Sequence, residues 1–185
     1  LNLLPNDRLA HMFRVTAGIP SSAEPFGGWE APDCELRGHF AGGHYLSACA
    51  LMYSSTGDEA LRSKANALVA DLAKCQQPNG YLGAYPEAFY DRLKDHQKVW
   101  APFYTYHKIM AGHLDMYVHC GNRQALKTSE QMAGWADDWA KQFNEEEFQQ
   151  ILKVEFGGMT EVLFNLYAVT GKEKYVALAR RFGKR

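Results

Sequence analysis

No charge of either sign predominates in this sequence. A formal net charge of −1 over 185 residues leaves no electrostatic footprint for DNA or RNA, so no nucleic acid is expected as a partner. No apolar run approaches membrane-spanning length, and no membrane is expected either. Cysteine is sparse: Cys34, Cys49, Cys75 and Cys120 are scattered, with neither paired metal-type spacing nor a disulfide framework. Cys49 and Cys75 fall within helical patterns, as small core residues do. Cysteines so placed do not fix a redox compartment, and localisation stays open. Strand-type alternation is almost absent, which removes the sheet classes. An initiator methionine is lacking at Leu1, so the absence of a signal peptide says little.

What is present suffices for one domain with a substantial core. The chain is 46% hydrophobic and 13% aromatic, far from the composition of a disordered segment. Periodicity predicts a helix over residues 3–17, with Leu9, Met12, Phe13 and Thr16 near one face, stopped by Gly18 and Pro20. Residues 18–43 read as a long irregular segment carrying Trp29, Glu30, Arg37 and His39, and its aromatic and glycine content points to a folded site loop. Further helices are expected over 45–55, from an Asp58 cap to about residue 76, over 104–120, from beyond Asn122 to about Phe143, over 159–169 and over 172–182. Residues 81–102 read as a second long loop. Asn144 begins a short acidic turn in which residues 145–147 form a solvated helix start.

A repeat underlies this order. Tyr53, Tyr117 and Tyr167 each stand four residues before a glycine, namely Gly57, Gly121 and Gly171. Eight residues past each glycine is a small residue (Ala65, Ser129, Ala179), and eleven past it a large apolar one (Leu68, Met132, Phe182). Each unit is therefore helix, glycine turn, helix, with the small position allowing close approach. The fold class is all-α, made of repeated αα-hairpins with long inserts on one side, as in a solenoid or a closed α/α toroid.

Repetition also locates a site. The first helix of each hairpin follows a loop, residues 18–43, 77–102 and 144–158, and all three are expected on one face. His39 and His44, Trp100 and His107, and Glu155 and Glu161 would converge there. The richest stretch is WAPFYTYHKIMAGHLD over residues 100–115, a proline-broken loop with Trp100, Phe103, Tyr104 and Tyr106 that turns into a helix near His107. A helix N-terminus beside flat aromatic faces suits an oxygen-rich ligand such as a sugar. The plain alternative is an aromatic cluster packing a helix start, with His107 a satisfied core residue.

Four stretches carry a family resemblance: GGWEAPDCELRGHFAGGHYLSACALMYSSTGD, QPNGYLGAYPE, VWAPFYTYHKIMAGHLDMY and EFGGMTEVLFNLYAVTGKEKYVALARRF. In this order, over nearly the whole chain, they resemble the β-L-arabinofuranosidase-type glycoside hydrolases, family 127 and its relatives, a once-uncharacterised bacterial group. The resemblance implies an (α/α)6 six-hairpin barrel, of which residues 1–185 would be the N-terminal half of the catalytic domain, about three hairpins. The C-terminal half of the barrel is then the missing partner. It also implies retaining hydrolysis of terminal β-L-arabinofuranosides in plant-type oligosaccharides and glycans. There a zinc-held cysteine thiolate is the nucleophile and a separate glutamate the acid/base. The family carries these groups in downstream Glu-x-Cys and Cys-Cys stretches, and neither pattern occurs here. No catalytic residue and no metal ligand is therefore assigned to this chain, which is expected to be inactive alone. Zinc is expected in the intact enzyme through downstream residues, with no cofactor in this segment. The start at Leu1 and the finish in the helical Arg180-Arg181-Phe182 stretch read as a fragment. Half a toroid leaves hairpin faces unburied, so the isolated chain should be marginally stable or self-associate.

The resemblance places His107, in the family's Tyr-x-x-His-Lys motif, in the arabinose pocket as a hydrogen-bond partner for sugar hydroxyls. Lys108 is a structural or surface partner. Of His39 and His44, one is expected to face the pocket and the other to pack, with the choice open. Trp29 and Trp100 are sugar platforms or core packers, and Tyr104 stands with them as a candidate contact. Glu155 and Glu161 stand between the pocket and a buried structural pair. The family usually has Asn where this chain has Thr160, which puts an amide–sugar contact in doubt there. Two carboxylates can run glycoside hydrolysis, but the family places its catalytic groups elsewhere. Arg37 offers either a bidentate contact to a carboxylate or a structural ion pair, and Trp135 and Trp139 read as core. Another (α/α)6 sugar activity (an epimerase, a different glycosidase or a lyase) rests on fold analogy alone. A non-catalytic helical-repeat module binding glycans or a protein is the third class.

Overall fold

The three Tyr-x-x-x-Gly signals end helices in one common way. In the computed structural model, which describes residues 1–184, Gly57, Gly121 and Gly171 take φ values of 71°, 70° and 68°. Each donates its N–H to the carbonyl of the tyrosine four residues back, at 2.8, 2.9 and 2.7 Å. A left-handed residue closes a helix here without a Cβ penalty. The next helix starts at once, with Asp58 accepting the Leu61 N–H at 3.1 Å and Asn122 accepting the Ala125 N–H at 2.9 Å. The Tyr53 and Tyr167 hydroxyls donate across their turns to Glu59 and Glu173, a further element of the repeat.

The described residues form α-helices α1 (Asn6–Thr16), α2 (Tyr45–Thr56), α3 (Glu59–Cys75), α4 (Ala88–Lys94), α5 (Pro102–Cys120), α6 (Arg123–Ala140), α7 (Glu145–Val154), α8 (Met159–Thr170) and α9 (Glu173–Arg181), with no strand among them. Three hairpins result: α2/α3, α5/α6 and α8/α9. In the front layer α5 packs between α2 and α8, each front helix backs onto its hairpin partner, and α1 lies along α3. The small positions Ala65, Ser129 and Ala179 are fully buried, and the Ser129 hydroxyl donates to the Met110 carbonyl of the front helix at 3.3 Å. Leu68, Met132 and Phe182 are buried beside them in one continuous core. Trp135 and Trp139 belong to that core, as expected, as do Cys49, Cys75 and Cys120.

Three segments differ from the sequence reading. The expected acidic turn after Asn144 is the full helix α7, started by a capping box in which the Glu147 N–H and the Asn144 carboxamide, and the Asn144 N–H and the Glu147 carboxylate, pair at 2.9 Å each. Phe148, Ile151 and Leu152 then bury one face of it. The second loop contains α4, held by the buried Tyr90 and Leu93. The first loop contains a 3-10 turn at Gly28–Glu30 and a π-helical turn at His39–His44 that runs directly into α2.

That π turn lies hard against α5. A Cβ on Gly43 would sit 2.7 Å from the Lys108 carbonyl oxygen, and one on Gly112 only 2.5 Å from the Gly43 carbonyl oxygen. Backbones this close leave room for hydrogen alone. The three inserted loops are also tied together. Arg37 donates to the Ala84 carbonyl at 2.7 Å, Glu35 pairs with Arg92 and accepts the Trp100 N–H at 2.6 Å, and Glu155 accepts the Phe103 N–H at 2.7 Å. These bonds bring the three loop segments together before the front helices.

Candidate functional site

Glu30 organises the first loop. It ends the 3-10 turn, is 6% exposed, and its carboxylate accepts the Gly38 N–H at 2.7 Å and the Phe40 N–H at 2.8 Å. It thereby caps the π turn, whose first residue is His39. The same carboxylate lies 3.0 Å from His39 Nδ1, and the Leu36 carbonyl lies 2.7 Å from that nitrogen. Both neighbours accept, so Nδ1 carries the proton. Burial pulls the His39 pKa down, but Glu30 and the Leu36 carbonyl outweigh it and hold the imidazole above its ordinary value.

His44 closes the same turn and points into a more open environment. Its ring stands 5.7 Å from His39 and nearly perpendicular to it. Burial, then the charges of Lys108 and His39, hold its pKa below the usual histidine value. Tyr104 from α5 completes the group, its ring 6.2 Å from His39 and its hydroxyl 3.5 Å from His44 Nε2. Trp29 approaches His39 from another side, at 6.1 Å, and leaves 64% of its surface exposed. With Phe26, Phe40 and Gly27 these residues enclose an open cleft of about 500 Å³. Its walls are aromatic, and its polar side-chain groups are two imidazoles, the Tyr104 hydroxyl, the Trp29 indole and the Glu30 carboxylate. Such a surface stacks on the apolar face of a ring and hydrogen-bonds its rim.

Of the two histidines left open by the sequence, the buried one and the exposed one both line this cleft. His107 sits one turn along α5, its ring 5.4 Å from Tyr104, buried, with Nδ1 accepting the Gly158 N–H at 3.2 Å. A Cβ on Gly158 would stand 2.5 Å from His107 Nε2, so the turn before α8 is pressed against the ring. Burial, aided by Lys108, holds the His107 pKa down to about 4. The ring is neutral at physiological pH and packs behind Tyr104.

Glu155 turns its carboxylate to the start of α5, where the N-cap residue Ala101 has φ 51° and no capping side chain. Burial pushes its pKa up to about 7, against the opposing N–H groups of Phe103, Tyr104 and Gly157. Glu161 is exposed on α8. Trp100 is 49% exposed and is held through its N–H to Glu35, outside the lining of the cleft. Arg37 orients no carboxylate: its guanidinium donates to the Ala84 and Cys34 carbonyls, because loop backbone rather than an acid faces it. The Thr160 hydroxyl is turned to the Ala179 carbonyl at 3.5 Å, towards α9. Sequence reasoning did not single out Phe26, Phe40 or the orienting role of Glu30. The Glu30 contacts span eight and ten residues, a spacing no short motif encodes.

Among the described residues no three His, Cys, Asp or Glu side chains gather as a metal-holding group. Burial raises the thiol pKa values of Cys49, Cys75 and Cys120, that of Cys75 to about 11, which keeps them protonated and poor ligands. These three buried thiols are thus poorly suited to hold a metal, and no step here runs through one.

Comparison with known proteins agrees with this architecture. The chain matches the description "Beta-L-arabinofuranosidase, GH127 catalytic domain" over residues 1–185. No curated protein matches it. Among solved structures, a GH127 β-L-arabinofuranosidase from Geobacillus stearothermophilus T6 is similar with a TM-score of 0.67 at 23% identity, over 98% of this chain and 27% of that one. A second GH127 β-arabinofuranosidase gives 0.59 at 16% identity, over 94% of this chain and 27% of that one. At these identities the structural likeness is one of fold, and the chain spans 27% of either neighbour's length. Since the GH127 match extends over all 185 residues, the chain belongs to the GH127 β-L-arabinofuranosidase catalytic-domain family.

Proposed function

We propose that this chain supplies substrate-pocket residues to a retaining glycoside hydrolase acting on terminal β-L-arabinofuranosides of plant-type glycans. The observation that carries the reading is the cleft in which Trp29, His39 and His44 from the two turns of the first loop and Tyr104 from α5 face one space of sugar size. Trp29 offers a stacking face. The Tyr104 hydroxyl and His44 Nε2, 3.5 Å apart, are spaced to share adjacent sugar hydroxyls. His107, neutral and fixed by Gly158, sets the position of Tyr104 and stands next in line for a sugar hydroxyl. Trp100, Glu155 and Glu161 do not line the cleft and are assigned more remote roles, Glu155 through the start of α5 that carries Tyr104. The nucleophile, its zinc and the acid/base belong, on this reading, to residues beyond this segment, so the segment alone binds without turnover.

The test uses the enzyme that contains this chain and p-nitrophenyl β-L-arabinofuranoside. His44→Ala and Tyr104→Phe are each expected to raise KM about tenfold, the loss of one polar contact to a bound sugar, with a smaller change in kcat. Unchanged KM in both variants removes these residues from the pocket. Preferential turnover of a different glycoside by the wild type replaces arabinose as the substrate.

A further inference from the structure

We infer that Glu30 is a positioning residue of this cleft, holding the His39 imidazole so that Nδ1–H faces inward and Nε2 is presented to the bound sugar. The inference rests on the sugar-site reading above. Three features of the geometry carry it. Glu30 is buried, yet its carboxylate is within 3.0 Å of the one ring nitrogen of His39 that also meets the Leu36 carbonyl. With that nitrogen committed twice, Nε2 is the remaining polar atom of a ring that lines the cleft. The same carboxylate accepts the N–H groups on either side of His39, from Gly38 and Phe40, so backbone and ring are fixed by one group. A carboxylate behind a histidine sets tautomer and ring plane together.

The charged and titratable groups around His39 are Glu30 from the 3-10 turn, His44 from the far end of the π turn, and Lys108 from α5, with the Tyr104 ring beside it. Of these charged groups Glu30 favours the protonated ring, together with the Leu36 carbonyl, and Lys108 opposes it. The arrangement separates two neighbouring histidines, the His39 pKa raised by Glu30 and the Leu36 carbonyl and the His44 pKa lowered by burial and neighbouring positive charge.

The experiment uses the enzyme that contains this chain, with histidine-selective NMR to follow each ring and KM for the p-nitrophenyl arabinoside against pH. In the wild type His39 should titrate above His44, and the reverse order overturns the inference without any variant. Glu30→Gln places an amide N–H2 among N–H donors. It should lower the His39 pKa and raise KM about tenfold, the weight of one charge-assisted contact. In a His39→Ala background the same change should add nothing to KM. If the factor persists without His39, Glu30 acts on the backbone alone and the inference fails while the sugar site stands. If His39→Ala and His44→Ala both leave KM unchanged, the sugar site itself fails and the inference falls with it.

Discussion

His113 shows what a single buried ring contributes on its own. It is fully buried in α5, its Nδ1 donates to the Ile109 carbonyl at 2.9 Å, and its Nε2 is buried without a partner. Burial holds its pKa down to about 4. The folded pKa lies below the ordinary value of 6.5, so unfolding takes up a proton between those limits. The neutral ring's contribution is complete above about pH 6.5 and is lost as pH falls towards about 4. Replacing His113 by Met removes the orphaned nitrogen and the proton uptake at similar volume. His113→Met should raise stability by about 1 kcal/mol at pH 8 and by more at pH 5, read as denaturant midpoints. A variant that loses stability equally at both values would show that Nε2 has a partner worth keeping. His107, also held near 4, keeps part of the acid limb in the variant. Residue-level legibility follows from the length of each interaction. Trp135 and Trp139 were readable as core from helical spacing, and they are 6% and 7% exposed. His39 and His44 could not be ranked, because the acid that distinguishes them stands on a turn that only the folded loop brings close.

Helix α5 is the element on which the candidate site depends, and its N-terminus is capped from outside. Ala101 supplies no capping side chain, and Glu155, from the segment joining α7 to α8, supplies the carboxylate instead. The folded pKa of Glu155, about 7, exceeds the ordinary value of 4.5. The native state therefore holds that proton more tightly than the unfolded chain does, and the contribution of this group falls as pH rises from about 4.5 to about 7, then levels off. Its sign is opposite to that of the two buried histidines and partly offsets their acid limb. Glu155→Gln keeps an oxygen for the Phe103 N–H but has no proton to lose. Relative to the wild type it should gain stability between pH 5 and pH 8, and parallel melting curves across that range would refute the shift. The hairpin helices themselves were legible because Tyr, Gly, a small residue and a large apolar one recur in one order. Helices α4 and α7 were not, since each is short and lies within a segment whose aromatic or acidic content resembles loop. In α7 the Asn144–Glu147 capping box, with Phe148, Ile151 and Leu152 behind it, is the signal that reveals it.

At the scale of the molecule, the three front helices leave large apolar side chains exposed, whereas among the described residues α3, α6 and α9 leave none. Leu51 and Met52 on α2, Val118 on α5 and Phe164 on α8 are 51%, 47%, 54% and 41% exposed, although they occupy the middle or later turns of the front helices. A row of large apolar side chains across three adjacent helices is what front helices present when further helices of a toroid pack against them. The stacked αα-hairpins were legible from the repeat, which left solenoid and toroid both open, and only the family resemblance pointed to the barrel. The number of hairpins that close the ring is not written in any of them. The exposed row carries a consequence for the 185-residue chain expressed by itself. It should associate with rising concentration and bind a hydrophobic dye, while Leu51→Glu with Phe164→Glu should return it to monomer in sedimentation velocity. In the enzyme that contains this chain the same pair should instead cost stability, about 2–5 kcal/mol or more, because it places charge where apolar surface is covered. A wild-type chain that stays monomeric and dye-free at high concentration would mean that the front layer needs no cover.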